Sequence, residues 1–207
     1  MVKKISQKAI LGLTYLLVKE VKNDFYLPTD RGYIVASNHA SHMDPFIITS
    51  VIYFKRRRLA RYLGKKESLD DAIWSFIYKT FDVIPIDRNS KSKKTIDYTI
   101  ECLNNKEIIG IFPEGTRTFD GKIQKGKTGV ARMALSSNAQ IVPVAIKGTF
   151  NLWPRHKKFP KLKRTIKVNI GKPIDLHIYK KKKISKKMLR SITNSIMERI
   201  EDLYAKI

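Results

Sequence analysis

The sequence predicts an α/β fold: a single domain with a central, mostly parallel or mixed sheet flanked by helices, and an amphipathic helix at its N-terminus. Three observations predict it. Short β-branched runs alternate with segments of helical period along the chain. No repeat and no linker divides the 207 residues, enough for one domain with a real core. Polar groups follow three of the strand-like runs directly, where α/β sheets place their ligands.

The first 27 residues read as a segment of their own, with residues 28–207 as the main domain. Ile5, Ala9, Leu13, Leu16, Leu17 and Val21 recur at roughly helical spacing among lysines. Two readings stay open: a helix lying on a membrane surface, or a first helix packed on the core. The nearly uncharged run from Ala9 to Val18 is about half of what a membrane span needs. Charged Lys19, Glu20 and Lys22 follow it, with no small-residue cleavage site of a secretory signal.

Tyr33 to Ser37 is strand-like, and Asp44-Pro45 opens a helix over Phe46 to Phe54, with the aspartate as its cap. The basic cluster Lys55 to Arg58 ends that helix, and Leu59 to Leu63 suits a second strand. Ser68 and Asp71 resemble a capping box, followed by a helical face of Leu69, Ile73, Phe76 and Ile77. Val83 to Ile86 is a strand ending at Asp87-Arg88, and Lys91 to Asn105 is helical. Ile108 to Phe112 is a buried strand interrupted only by Gly110, and it runs straight into Pro113-Glu114-Gly115. Thr128 to Ser137 is a helix, and Ile141 to Ile146 and Thr165 to Ile170 are strands. Ser185 caps a last helix with the stripe Leu189, Ile192, Ile196, Ile200 and Leu203.

Composition narrows the function. The lone cysteine, Cys102, rules out an internal disulfide and any multi-cysteine zinc site, and it lies on a helix stripe suited to the core. A net charge of +24 seeks an anionic partner: nucleic acid, anionic lipid, or an acidic protein.

Two groups of residues carry chemistry. Asn38-His39-Ala40-Ser41-His42-Met43-Asp44 places a histidine four intervening residues before an aspartate on a strand-to-helix turn. A carboxylate there can fix the imidazole tautomer and leave its other nitrogen as a general base. His39, His42 and Asp44 could also cap or hold a metal, but the other histidines, His156 and His177, lie in lysine-rich segments, and no metal is expected. Phe112-Pro113-Glu114-Gly115-Thr116-Arg117 joins a strand stop, a carboxylate, a conformationally free glycine and a phosphate-gripping guanidinium.

Together these motifs resemble the 1-acyl-sn-glycerol-3-phosphate acyltransferase family of glycerolipid acyltransferases, with its NHxxxxD and FPEGTR motifs. Val83 to Arg88 and Ile141 to Val144 are similar to two further family blocks, in the same order. Asp82 departs from the glycine common before the second block, which leaves the shape of that turn open. The resemblance covers about Tyr33 to Pro173.

It implies transfer of a fatty acyl group from an acyl thioester to the free hydroxyl of 1-acyl-glycerol 3-phosphate, giving phosphatidate. His39 would be the base and Asp44 its orienter, with no acyl-enzyme. Arg88 and Arg117 would hold the acceptor's phosphate, while Glu114, Gly115 and Thr116 shape or line its pocket. No cofactor is implied beyond acyl-CoA or acyl-carrier protein as co-substrate. Glycerol 3-phosphate or another lysophospholipid is the alternative acceptor. Ser41 reads as a turn hydrogen bonder, His42 as a neighbour, and Lys125 and Lys127 as anion contacts or solvated surface.

From Arg155 to Arg190 there are fifteen lysines or arginines and one acid, Asp175. With the N-terminal helix, this predicts peripheral or monotopic association with an anionic phospholipid membrane at its cytoplasmic face. The same charge would attract acyl-carrier protein or coenzyme A phosphates. A nucleic-acid-binding protein is the rival class: aromatics interleave with Lys55 to Arg61, but no recognised motif appears.

Overall fold

The computed structural model describes residues 2–86, 93–157, 159–179 and 183–207. Its strands are Val18–Lys22 (β1), Tyr33–Ser37 (β2), Ala60–Lys65 (β3), Ile84–Ile86 (β4), Ile108–Ile111 (β5), Gln140–Lys147 (β6) and Ile166–Ile170 (β7). They form one sheet in the order β1-β7-β6-β2-β5-β3-β4, and β6–β7 is its one antiparallel pair among the described residues. The helices are Val2–Leu16 (α1), Asp44–Arg56 (α2), Ala72–Phe81 (α3), Lys93–Asn104 (α4), Gly129–Ser137 (α5), Thr149–Leu152 (α6) and Lys186–Ala205 (α7).

The apolar strands take the centre. Every residue of β2 and β5 is buried, because helices cover both faces of the sheet there. Tyr33 and Val35 point into one core with Ile47 and Ile52 of α2. Ile34 and Ala36 point into the other, with Ala131 of α5 and Ile196 of α7. The period-two alternation of β2 thus divides the molecule into two hydrophobic layers.

The N-terminal segment departs from its expected boundary. The helical run ends at Leu16, and Val18–Lys22 pairs in parallel with β7 as an edge strand. Residues 1–27 are therefore not one appended helix, since β1 belongs to the sheet. The orientation of α1 is also decided. Gln7, Leu11 and Thr14 are buried against the domain, whereas Ile5, Leu13 and Leu16 are 58%, 67% and 67% exposed. Gln7 donates to the Thr80 carbonyl at 2.6 Å, and the Thr14 hydroxyl donates to the Ile10 carbonyl within its own helix. The inward face thus mixes Leu11 with Gln7 and Thr14, and much of the apolar stripe is left facing outward among the lysines.

Helix α3 also differs. Asp71, not Ser68, is its cap, accepting the N–H groups of Ile73 and Trp74 at 2.9 and 3.0 Å. Residues 66–70 form a 3-10 turn instead. Ile73 and Phe76 face outward, and the buried face is Tyr78, Thr80 and Phe81. Asp82 ends the helix in the left-handed conformation (φ 49°), where it pairs with Lys3 at 2.7 Å. The turn that would suit glycine keeps its glycine-like backbone, because aspartate tolerates that region and its carboxylate gains a partner.

Candidate active site

The carboxyl ends of β2, β5 and β6 lie side by side, and the residues that leave them build the site. Asn38 continues past β2 and locks it to β6: its side-chain amide donates to the Ile146 carbonyl, and its side-chain oxygen accepts the Ile146 N–H, both at 2.9 Å. His39 follows, with its ring stacked on Phe112 at a centroid distance of 3.9 Å. Tyr62 of β3 also stacks on Phe112, at 5.2 Å, and lies over Gly110 of β5. A Cβ at Gly110 would lie 2.3 Å from the Tyr62 ring, so only glycine leaves room for this column.

His39 and Asp44 meet. His39 Nδ1 lies 2.8 Å from Asp44 Oδ2, on a carboxylate with no solvent exposure. The same oxygen accepts the N–H groups of Ala40 and Ser41, both at 2.7 Å. Asp44 is thus the first residue of α2 but does not cap it. Its side chain turns back into the preceding loop, where three donors converge on Oδ2. A carboxylate held this way favours the tautomer that donates Nδ1–H to it and leaves Nε2 as the imidazole's free nitrogen. Ser41, fully buried, accepts the Met43 N–H at 3.1 Å, as expected of a turn residue.

His42 is not part of this pair. Its ring packs between Trp74 and Trp153, at 4.9 and 5.3 Å. Burial, and then the charge of Arg117, hold its pKa down at about 4. Among the described residues no three metal-ligand side chains come together.

The FPEGTR segment splits into an inner and an outer half. Glu114 is only 3% exposed and does not line the cavity beside His39. Its Oε1 accepts the His39 N–H at 2.7 Å and its Oε2 the Gln124 N–H at 3.1 Å. Burial pushes its carboxyl up to about 7, against the pull of those two donors. Gly115 takes a left-handed backbone (φ 72°), and the Lys127 side chain packs where its Cβ would be. Thr116 and Arg117 face the cavity. Arg117 Nη1 is buried with no hydrogen-bond partner. Arg88, expected beside it, lies outside the described residues, as does Asp87. Cys102 is buried in the second core, away from these groups.

The cavity measures about 340 Å³ and runs from His39 past Tyr62 and Leu63 to Ile77, Phe81 and Val83. Its lining is largely apolar, and Lys65, Arg117 and Arg155 are the cations that share it with His39. Sequence reasoning missed Arg155, Trp74 and Trp153. Trp153 and Arg155 follow the short helix α6 that leaves β6, so their position beyond a strand end was the available signal; Trp74 lies within α3 and had none.

The comparisons agree with this architecture. The acyltransferase family model matches residues 19–147. A 1-acyl-sn-glycerol-3-phosphate acyltransferase of Bacillus subtilis is 30% identical over 91% of this chain and 89% of its own. One from Streptococcus pneumoniae is 26% identical, over 93% and 70%. The crystal structure of the 1-acyl-sn-glycerophosphate acyltransferase PlsC from Thermotoga maritima superposes with a TM-score of 0.74. That match covers 98% of this chain and 81% of the other, at 26% identity. With the His39–Asp44 pair and the FPEGTR turn at the ends of adjacent strands, the chain belongs to the 1-acyl-sn-glycerol-3-phosphate acyltransferase family.

Proposed function

We propose that the protein makes phosphatidate, by moving a fatty acyl group from an acyl thioester to the free hydroxyl of 1-acyl-glycerol 3-phosphate. The observation that carries this reading is the 2.8 Å contact of His39 Nδ1 with a buried Asp44, beside a largely apolar cavity that Arg117 and Arg155 also line. The names of the relatives, 1-acyl-sn-glycerol-3-phosphate acyltransferases, support the same acceptor.

The reaction needs a base, because a hydroxyl gives up its proton only as it attacks. His39 Nε2 takes that proton while the oxygen bonds to the thioester carbonyl carbon. Asp44 accepts a hydrogen bond from Nδ1–H and stabilises the imidazolium that forms, without itself taking the proton. The tetrahedral intermediate then collapses, the carbon–sulfur bond breaks, and His39 returns its proton to the departing thiolate. No acyl-enzyme is needed, since the donor is already activated and the acceptor is held beside it. Arg117 receives the acceptor's phosphate with its unpaired nitrogen, together with Arg88. Thr116 lines the same wall. Glu114 acts through His39: it holds the loop backbone, and Gly115 permits the turn.

The donor is acyl-CoA or acyl-carrier protein, both of which present negative charge to a chain of net charge +24. No helix among the described residues is long and apolar enough to cross a membrane. The outward apolar stripe of α1 and its lysines suit peripheral or monotopic attachment to anionic phospholipid, at the cytoplasmic face where the donors are made. A role in phospholipid biosynthesis follows.

The test is direct. Purified protein, an acyl thioester and lysophosphatidate should release free thiol and form phosphatidate only when both substrates are present. Thiol release that does not depend on the acceptor would overturn the reading. Exchanging acyl-CoA for acyl-carrier protein, and lysophosphatidate for glycerol 3-phosphate, fixes donor and acceptor.

A further inference from the structure

We propose that Arg155 is a second anion-binding residue of the site, forming with Arg117 a two-guanidinium clamp for a phosphomonoester. The clamp rests on the acyl-transfer reading only for the identity of its ligand. Its geometry stands separately.

Arg155 lies just past α6, in the connection that leaves β6, and Arg117 in the loop after β5; in the sheet, β6 and β5 flank the β2 strand whose loop carries His39. Both line the same cavity. Arg155 Nη1 donates to the Arg117 carbonyl at 3.3 Å, and its guanidinium lies 3.8 Å from the Phe119 ring centroid. These contacts hold the head group in place while using one of its five N–H donors. The two cations feel each other: burial first, and then Arg155, hold the Arg117 pKa below its ordinary value.

Like charges placed together beside a cavity are unfavourable unless something negative joins them. Among the described residues, neither arginine forms an ion pair, and no cavity-lining residue is acidic. Asp44 is the nearby negative charge and favours the charged form of Arg117, but it is bonded to neither guanidinium, and its three donors come from its own loop. Arg117 Nη1 stays buried and unpartnered. Guanidinium cannot relieve the repulsion by losing its proton near neutral pH. An anion therefore completes the wall, and a phosphomonoester offers two charges and three acceptor oxygens to two forked donors. Such a head group comes from the acceptor lipid or from the 3′-phosphate of coenzyme A.

The experiment compares wild type with Arg155→Met, which keeps the stem, and Arg155→Lys, which keeps the charge. Glycerol 3-phosphate, with glycerol as control, should raise the melting temperature of the wild type. Arg155→Met should abolish that rise and Arg155→Lys restore part of it, whether or not the protein proves to transfer acyl groups. In turnover, Arg155→Met should raise the KM of one co-substrate about tenfold or more while kcat stays within a few-fold. A shift in the lysophosphatidate KM assigns the clamp to the acceptor. A shift confined to acyl-CoA, and lost with a dephospho-CoA thioester, assigns it to the donor. If glycerol 3-phosphate stabilises wild type and Arg155→Met equally, or neither KM moves, Arg155 is a loop strap and the clamp is wrong.

Discussion

Glu114 and His39 are bonded through the histidine's backbone: the carboxylate accepts the His39 N–H at 2.7 Å, 75 residues away in sequence. The acid of the FPEGTR motif therefore supports the base of the other motif. This changes what its removal should do. Glu114→Ala leaves the His39 and Gln124 N–H groups without their acceptor, at about 1–3 kcal/mol each. It should lower kcat and melting temperature together, with the KM of the acceptor little changed. A KM effect without loss of stability would return Glu114 to direct substrate contact.

The Glu114 carboxyl also predicts a pH dependence. Folded, it keeps its proton up to about 7, whereas its ordinary value is 4.5. Between those values the folded state binds more protons than the unfolded, so stability falls as pH rises, by up to roughly 3 kcal/mol. Urea unfolding at pH 5 and pH 7.5 should show this fall in the wild type and a smaller one in Glu114→Gln. Equal slopes in the two proteins would refute it.

The two histidines should separate cleanly. His39→Ala should cut kcat by about 10²–10⁴, as removal of a general base does. His42→Ala should keep substantial turnover. Because His42 is already neutral above about pH 4, His42→Asn should leave the acid limb of the rate profile in place. Equal loss in folded variants of both would overturn the assignment of the base.

Gly110 should matter to catalysis from beneath the site. A methyl group there meets the Tyr62 ring, which supports Phe112 and, through it, His39. Gly110→Ala should cost about 1–3 kcal/mol of stability by overpacking. It should also lower kcat more than the stability loss explains at assay temperature. Thermal melts and initial rates on the same preparation check both.

Helix α1 offers a contrast between its two sides. Leu13→Glu with Leu16→Glu should weaken binding to anionic vesicles, each leucine contributing about 1.5–3 kcal/mol when buried in lipid, and leave the melting temperature nearly unchanged. Leu11→Glu should unfold the protein, since Leu11 packs with Phe46 and Phe81. Vesicle co-sedimentation unaffected by the outer pair would remove α1 from membrane attachment.

What was legible in the sequence was local. The His39–Asp44 pair spans one strand-to-helix turn, and the strands β2 and β5 are apolar enough to announce their burial. Less local facts were hidden. The stripe on α1 was visible from its period, but a period does not say which side faces the domain. The inward side carries Leu11, packed on Phe46 and Phe81, and Gln7, bonded to the Thr80 carbonyl, and both partners are distant in sequence. β1 is short and charged, and it becomes a strand only beside β7. The work of Glu114 depends on a loop that its own neighbours in sequence do not reveal, and Arg155 follows a short helix within a lysine-rich stretch that hides it.

The lock between Asn38 and Ile146 has a consequence for synthesis. Asn38 leaves the ribosome 108 residues before its partner. The histidine and aspartate can meet early, but β2 gains its neighbours only when β5 and then β6 arrive. At about 5–20 residues per second, that interval lasts several seconds, during which the central strand has open edges. The reactive loop is the first part of the site to be translated and among the last to become rigid.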